Sequence, residues 1–208
     1  MEYIPILHKD KQLKKATAHL SVPELKQGKR LYLELCASVI SQQLSTVVAT
    51  VIHKRFLNLF PGPHPTPEAI LQVPAETLRS IGLSASKAAY IHNICAFFVA
   101  HELNDRKLYR MSDEELIELL SQIKGIGRWS VEMLLIFAMG RPDVFAMDDL
   151  GIQKAVATLY GLDEQDKKGF KKQMLEISAQ WKPFRSYACL LLWAWYNESK
   201  VRTKSAGK

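Results

Sequence analysis

Apolar residues recur at helical spacing along almost the whole chain, and this periodicity is the strongest constraint on its fold. Alternating β-branched runs, which indicate strands, are nearly absent. The pattern predicts roughly ten helices and therefore an all-α fold. A length of 208 residues suits one large helical domain or two small, interlocked ones.

Two helix starts are marked by their first residues. Ser112 and Glu115 have the spacing of a capping box, and Ser84 precedes a long apolar helix as an N-cap. The segment PGPHPTP at 61–67 holds four prolines and interrupts the helical pattern. It is either a domain linker or a surface loop, and its shortness favours the loop. The last helix is expected to end near Glu198, followed by a basic, disordered tail over 199–208.

Composition limits the function classes only loosely. Lysine and arginine number 28 against 21 acidic residues, which gives a formal charge of +7. Such a surplus suggests a polyanionic partner, although a merely soluble basic protein explains it equally well. No apolar run approaches the ~18 residues of a membrane span, and the N-terminus lacks a secretory core.

The three cysteines, Cys36, Cys95 and Cys189, are scattered and form no CxxC pair. This arrangement argues against a disulfide framework, a zinc site and an iron–sulfur cluster. The six histidines show no metal-ligand spacing either. A reducing, intracellular compartment is therefore expected.

The most informative segment is IKGIGRW. One helix is expected to end at Ile123, Gly125 and Gly127 form a turn, and another helix begins near Trp129. Such a turn directs backbone N–H groups and the positive end of a helix dipole at an anion, for which a DNA phosphate is the obvious ligand. Lys124 and Arg128 would add positive charge. An ordinary tight turn between packed helices is the alternative, but the basic chain and the apolar helices on both sides favour phosphate binding.

Two acidic residues follow the hairpin within VFAMDDLGIQKAV. Asp149 comes 21 residues after Arg128, and either Asp148 or Asp149 is expected to cap the next helix. A carboxylate near a phosphate-binding hairpin also suits N-glycosidic hydrolysis. It would stabilise the oxocarbenium-like sugar and orient or deprotonate the attacking water. The residues alone leave the capping role and the catalytic role both open.

Four segments together resemble the helix–hairpin–helix DNA glycosylase superfamily, specifically its DNA-3-methyladenine glycosylase II branch. They are ASVISQQLST, IKGIGRWSVEML, DVFAMDDLGI and WKPFRSYACLLLW, and the resemblance covers about residues 28–198. It implies two helical subdomains with the active site in the cleft between them. Residues of about 40–140, with the hairpin at 123–129, would form one subdomain. Residues 1–39 and 141–198 would form the other.

The resemblance implies a monofunctional glycosylase that hydrolyses alkylated purines of the 3-methyladenine and 7-methylguanine type from duplex DNA during base excision repair. Its catalytic aspartate lies three residues before the helix isoleucine Ile152, which selects Asp149. Bifunctional relatives carry a nucleophilic lysine where this chain has Trp129, so strand cleavage is not expected. The alternatives are a glycosylase for uracil, mismatched adenine or oxidised guanine, and a non-catalytic DNA-binding module. Asp149 argues against the module.

The resemblance also implies a wedge and a base pocket, because a glycosylase takes its base out of the stack. Gln43 and Leu44 match the position that inserts into DNA. Leu44 is the expected wedge, with Gln42 and Gln43 as alternatives, although Leu44 could instead be a core residue. Trp129 and Trp193 match pocket positions whose faces would attract a cationic base, the alternative again being the core.

Two further positions, Met133 and Ala194, depart from the aromatic residues that some relatives carry there. The shape of the base pocket is therefore expected to differ from theirs.

Among cofactors and partners, neither a redox group nor a catalytic metal is implied. The resemblance adds only a structural Na⁺ or K⁺ ion at the hairpin, held by backbone carbonyls near Ser121, Ile123 and Gly125. The expected partner is double-stranded DNA containing alkylated bases. The protein is expected to be a monomer and not to bind a membrane. The expected location is the cytoplasm, at the nucleoid, in a bacterium, or the nucleus in a eukaryote.

Overall fold

The computed structural model describes the backbone of residues 2–206 and the side chains of residues 2–199. Within this range it contains helices and no strand, which confirms the all-α prediction. The helices in chain order are α1 Tyr3–Leu7, α2 Lys11–Thr17, α3 Leu31–Ser41, α4 Thr46–Leu57, α5 Pro67–Leu71, α6 Ala75–Ser80, α7 Ala85–Ala100, α8 Asp105–Tyr109, α9 Asp113–Leu120, α10 Arg128–Met133, α11 Leu150–Tyr160, α12 Lys167–Ala179 and α13 Arg185–Ala206. A π-helical turn, Leu134–Ala138, directly continues α10.

The helix starts marked in the sequence are confirmed. The Ser112 hydroxyl accepts the N–H of Glu115, and the Glu115 carboxylate accepts the N–H of Ser112 at 2.7 Å, which completes the capping box of α9. The Ser84 hydroxyl accepts the N–H of Lys87 at the start of α7. The short helices α1 and α8 were not predicted, since five residues are too few to show a clear periodicity.

The chain divides into two compact units, and the first comprises Gln27–Met139. Helix α7 is its centre and packs against α3, α5 and α6, while α3 also packs against α4 and the π-helical turn. Buried apolar side chains of α7 and α3, among them Ile91, Phe98 and Leu35, fill the space between them. Cys36 and Cys95 meet there as free, buried thiols, and the hydrogen bond to Cys95 together with burial raises the pKa of Cys36.

This unit begins at residue 27, whereas the sequence analysis placed the boundary at about 40. The difference is α3, which packs against α4, α7 and the π-helical turn of the same unit. The proline-rich segment at 61–67 connects α4 to α5 within this unit. It is therefore a loop and not a domain linker.

The second unit comprises Met1–Lys26 and Gly140–Lys208, with α11 packed against α13 and both packed against α2. A buried carboxylate, Asp10, connects its elements. One oxygen accepts the N–H groups of Gln12 and Leu13 as the N-cap of α2. The other accepts the Tyr160 hydroxyl and the Trp181 indole N–H at 3.0 Å. Burial, followed by the hydrogen bond to Asp10, raises the pKa of Tyr160 above its ordinary value.

Helix α13 extends to Ala206, so the sequence-based end near Glu198 and the disordered tail from 199 do not agree with the structure. The segment KVRTKSA contains good helix formers, and the first glycine of the tail comes only at position 207. Residues 207 and 208 lie outside the described residues. Among the described helices, none has both the length and the apolar character needed to cross a bilayer.

Candidate active site

Asp149 is the N-cap of α11, and its side chain is held from two directions. Its Oδ1 atom accepts the backbone N–H of Ile152 at 2.9 Å and the indole N–H of Trp193, on α13, at 2.8 Å. The carboxylate is half-buried and lies at the N-terminal end of α11, where the helix dipole is positive. Asp149 is thus both the expected helix cap and a carboxylate whose orientation is set by a tryptophan.

The contact between Trp193 and Asp149 depends on Gly151. A Cβ atom at position 151 would lie 3.0 Å from Asp149 Oδ1 and 3.1 Å from Trp193 Nε1, closer than such contacts normally allow. The sequence analysis did not single out Gly151. A glycine inside a helix, where it costs about 1 kcal/mol relative to alanine, was the available signal that the backbone needs room there.

Asp148 has a different environment from its neighbour. Its carboxylate is exposed and forms an ion pair with the Lys171 ammonium at 2.9 Å. An exposed pair of this kind leaves the acid partly neutralised and contributes little to stability. The geometry therefore distinguishes the two acids in the same direction as the resemblance did, although it does not test the catalytic role of either.

The glycine hairpin between α9 and α10 is anchored by its apolar residues. Ile123 and Ile126 are buried, and the Asn93 side chain donates a hydrogen bond to the carbonyl of Lys124 at 3.0 Å. Gly125 has a φ of +101°, and a Cβ there would overlap the ring of Tyr90. The first glycine is thus required by both the backbone conformation and the close approach of Tyr90.

Gly127 is different, because it is exposed and an added Cβ would meet nothing within 4 Å. It is the N-cap of α10 and has no side chain to cover the first N–H groups of that helix. Lys124 is exposed beside it. Arg128 is exposed too, but its guanidinium donates to the buried carboxylate of Glu132 at 2.8 Å, so part of its charge is balanced within α10.

We expect Gly127→Ala to weaken binding to duplex DNA of any sequence about tenfold, because a methyl group would stand where a phosphate approaches the N–H groups. Its melting temperature should stay at the wild-type value, since the space is open. Fluorescence anisotropy with two unrelated undamaged duplexes measures the affinity. Gly125→Ala is the matched control, and it should instead lower the melting temperature. Normal affinity of a folded Gly127→Ala variant would contradict phosphate binding at the hairpin.

Trp129 and Met133 line one cavity of about 350 Å³ in the Gln27–Met139 unit. Phe137, which is 58% exposed and was not identified from the sequence, lines it as well. Trp129 is 38% exposed, so it is not a core residue. The cavity combines an aromatic and thioether wall with the polar side chains of Glu34, Ser38 and Ser41.

Trp193 belongs to the other unit, where it is half-buried beside Asp149. Ala194 follows it on α13. The predicted pocket residues are therefore not gathered in one cavity of one unit. Trp129 and Met133 share a cavity wall, whereas Trp193 hydrogen-bonds the candidate catalytic acid.

Gln43 and Leu44 lie in the loop between α3 and α4, and both are exposed. Gln43 has a left-handed backbone, with a φ of +58°, and Leu44 is 36% exposed. The alternative of a core leucine is therefore wrong. Leu44 heads a stripe of exposed apolar side chains that continues along α4 through Val47, Val48 and Val51.

We expect Leu44→Ala to cost less than ~1 kcal/mol of folding free energy, against the ~2–5 kcal/mol of a core leucine. Its excision of a base paired in duplex DNA should fall about tenfold, because the space left by the extruded base is no longer filled. Thermal denaturation and single-turnover excision measure the two effects. A large fall in melting temperature with unchanged excision would contradict the wedge role.

Among the described residues, no group of three or more His, Cys, Asp or Glu side chains is arranged to hold a metal ion. The three cysteines are buried and form no disulfide with one another. The described residues thus include an oriented carboxylate, a glycine hairpin, an aromatic cavity and an exposed loop. These are the features expected of a helix–hairpin–helix DNA glycosylase.

Comparison with known proteins gives the same class. The family model of the HhH-GPD superfamily base excision DNA repair proteins matches residues 36–180. DNA-3-methyladenine glycosylase 1 of Schizosaccharomyces pombe is 40% identical over 169 residues, which are 80% of this chain and 73% of that protein. The chain therefore belongs to the HhH-GPD superfamily and, within it, to the DNA-3-methyladenine glycosylase family.

Solved structures of similar proteins agree. The crystal structure of a DNA-3-methyladenine glycosidase from Bacillus halodurans has a TM-score of 0.81 at 31% identity and covers 94% of this chain and 88% of that chain. The 3-methyladenine DNA glycosylase of Schizosaccharomyces pombe in complex with abasic DNA has a TM-score of 0.77 at 35% identity. That comparison covers 92% of this chain and 95% of the yeast chain.

Proposed function

We propose that this protein hydrolyses the N-glycosidic bond of alkylated purines in duplex DNA, with Asp149 as the catalytic carboxylate and water as the nucleophile. The product is an abasic site in an intact strand. The observation that carries the proposal is the orientation of Asp149 Oδ1 by the Ile152 N–H and the Trp193 indole N–H. Unlike the buried N-cap Asp10, which also accepts an indole N–H, Asp149 is half open to solvent, so its oriented carboxylate can face a substrate.

The chemistry follows from the charge that develops as the bond breaks. The departing base leaves an oxocarbenium-like sugar, and a fixed anion stabilises that charge without reorganising. The same carboxylate can orient or deprotonate the attacking water. A methylated purine already carries positive charge, so it leaves readily and needs little general-acid assistance.

The aromatic residues have separate tasks in this proposal. Trp129 stacks on a cationic base, and Met133 and Phe137 complete the apolar wall of its cavity. Trp193 donates its indole N–H to Asp149 and so positions the carboxylate, and its ring face would offer the substrate a second surface. The preference for a cationic base would come from the tryptophan faces. The range of bases that the pocket accepts would depend on the smaller side chains Met133 and Ala194.

The proposed partner is duplex DNA, in keeping with the abasic-DNA complex of the yeast relative. The open N–H groups after Gly127 and the exposed Lys124 contact phosphate. Gln43 and Leu44 enter the space that the extruded base leaves. The protein would then act wherever the cell keeps its DNA.

A monovalent cation at the hairpin is a further part of this proposal. Backbone carbonyls can replace the hydration shell of an ion such as K⁺, and Ser121, Ile123 and Gly125 fall within five consecutive residues at the hairpin. The Ile123 carbonyl accepts the N–H of Ile126 at 2.9 Å, which uses one of its two lone pairs. Such an ion would supply positive charge beside the phosphate. Replacing K⁺ by a large organic cation at equal ionic strength should weaken duplex binding.

Chromatography of bases released from methylated genomic DNA tests the activity. We expect 3-methyladenine and 7-methylguanine in the soluble fraction and no release from unmethylated DNA. Borohydride should trap no protein–DNA adduct, and the strand should stay intact, because Trp129 replaces the nucleophilic lysine. Release of uracil or 8-oxoguanine instead would assign another lesion. Tight DNA binding without release of any base would show that the protein is a non-catalytic DNA-binding module.

A further inference from the structure

One lysine outside the proposed site binds the backbone of the loop that carries Gln43 and Leu44. The Lys87 ammonium donates hydrogen bonds to the carbonyl oxygens of Ile40 at 2.9 Å and Gln42 at 2.6 Å. Both carbonyls lie at the C-terminal end of α3, where the last carbonyl groups of a helix have no intrahelical partner and the dipole is negative. The contact spans 45 to 47 residues of sequence, so it joins α7 to a distant loop.

The loop itself has a backbone that needs support. Gln42 ends α3, Gln43 follows with a φ of +58°, and the N–H of Leu44 donates to the Ser41 carbonyl at 3.1 Å. A left-handed conformation is uncommon for a residue other than glycine, asparagine or aspartate, and it persists where the surroundings impose it. Because Gln43, Leu44 and Ser45 are exposed, little side-chain packing holds this shape.

Lys87 is well placed to provide that support. It lies in the first turn of α7, where its backbone N–H donates to the hydroxyl of the N-cap Ser84. Its neighbour Ala88 is buried in the core of the unit. The lysine side chain is half-buried, and this burial lowers the pKa of its ammonium. A half-buried ammonium that faces two carbonyl oxygens is directed at the protein backbone, unlike the exposed Lys124 of the hairpin.

We propose that Lys87 is a positioning residue for base extrusion: its two hydrogen bonds to Ile40 and Gln42 hold the loop in the shape that presents Gln43 and Leu44 to the DNA. The inference rests on the proposed glycosylase function and on the wedge role of that loop. Without the ammonium, the loop would have to be ordered during extrusion. Removing the ammonium would therefore slow the step in which a paired base leaves the stack.

The test compares Lys87→Met, which removes the donors at similar length, with Lys87→Arg, which retains them. Single-turnover excision of 7-methylguanine is measured in two duplexes, one with the lesion paired to cytosine and one with it opposite an abasic-site analogue. We expect Lys87→Met to lower excision of the paired lesion about tenfold or more and to affect the unpaired one little. Lys87→Arg should recover most of the activity.

A double variant provides the decisive readout. If Lys87 acts through the wedge, Lys87→Met should cause no further loss when Leu44 is already alanine, because the two changes remove the same step. Fluorescence of 2-aminopurine beside the lesion should also show reduced unstacking in Lys87→Met. Additive losses in the double variant would overturn the inference.

A phosphate contact is the competing role for this lysine, and salt dependence separates the two. Lys124→Met is the control, and it should reduce the slope of binding against salt by about one. Lys87→Met should leave that slope unchanged. A reduced slope, or equal losses on the paired and unpaired lesions, would contradict positioning. If Lys87→Met does not fold, Lys87→Leu, which also lacks a donor, takes its place in the same comparisons.

Failure of the proposed function has its own signature. A wild-type protein that releases no 7-methylguanine from either duplex overturns the glycosylase assignment and the inference with it. A wild-type protein that excises the paired lesion, with a folded Lys87→Met variant that excises it equally fast, overturns only the role of Lys87.

Discussion

Asp149→Asn is expected to lower base release by at least ~10²-fold, because it removes the anion that would stabilise the charged sugar. The variant is well suited to the question. An asparagine Oδ1 can still accept the N–H of Ile152 and the indole N–H of Trp193, so the cap of α11 and its contact with α13 should persist. The measurement is single-turnover release of 7-methylguanine, with the melting temperature as a check of the fold.

Binding to undamaged duplex should survive in Asp149→Asn, or become tighter, since the change removes a negative charge near a polyanion. Asp148→Asn is the matched control. It breaks only the exposed ion pair with Lys171, so excision should stay within about twofold of wild type. Full activity in Asp149→Asn combined with loss of activity in Asp148→Asn would assign catalysis to the other acid.

Asp10→Ala is expected to have the largest effect on stability, about 3–5 kcal/mol in the free energy of unfolding. The change removes the N-cap of α2, worth about 1 kcal/mol. It also leaves the Tyr160 hydroxyl and the buried Trp181 indole N–H without the carboxylate that accepts them. Each buried polar group without a partner costs a further ~1–3 kcal/mol. Urea denaturation followed by tryptophan fluorescence measures the loss.

Asp166→Ala is the control that separates the stability cost of losing an N-cap from the cost of losing the buried hydrogen bonds of Asp10. Asp166 is the exposed N-cap of α12 and accepts the N–H of Gly169 at 3.0 Å, so its loss should cost only ~0.5–2 kcal/mol. Equal costs for the two alanine variants would mean that the hydrogen bonds to Tyr160 and Trp181 add nothing to the stability of this unit.

The two predictions describe different uses of the same residue type in one unit. Asp10 and Asp149 are both N-caps, and each accepts an indole N–H from a distant helix or loop. Asp10 is 8% exposed and has four hydrogen-bond donors on its two oxygens, which suits a structural role. Asp149 is more open to solvent, which suits a carboxylate that must reach a substrate.

Much of the local structure could be predicted from the sequence, because short-range geometry decides it. The capping box needs only Ser112 and Glu115 three residues apart. The hairpin needs glycines at 125 and 127, between helices whose apolar periodicity is plain. The residues alone left Asp148 and Asp149 both open, and only the family resemblance, through the spacing to Ile152, selected Asp149 as the candidate acid. The all-α class followed from periodicity alone.

Contacts between distant segments could not be predicted in this way. Periodicity shows which face of a helix is apolar but not which helix covers it, and so α3 was assigned to the wrong side of the domain division. The donation from Trp193 to Asp149 spans 44 residues, and the need for Gly151 is apparent only once that indole is in place. The two hydrogen bonds from Lys87 to the loop before α4, which span 45 and 47 residues, also join distant segments.

The sequence by itself thus determined the helical class and the hairpin, since each depends on residues within a few positions of one another, and the family resemblance supplied the choice of candidate acid. The tertiary structure decided what orients that acid, which hairpin glycine has open space beside it, and whether Leu44 is buried. The physical reason is that burial and hydrogen-bond partners are set by packing between helices far apart in the chain. A hydrophobic pattern leaves that packing open, because many arrangements of the same helices bury the same apolar faces.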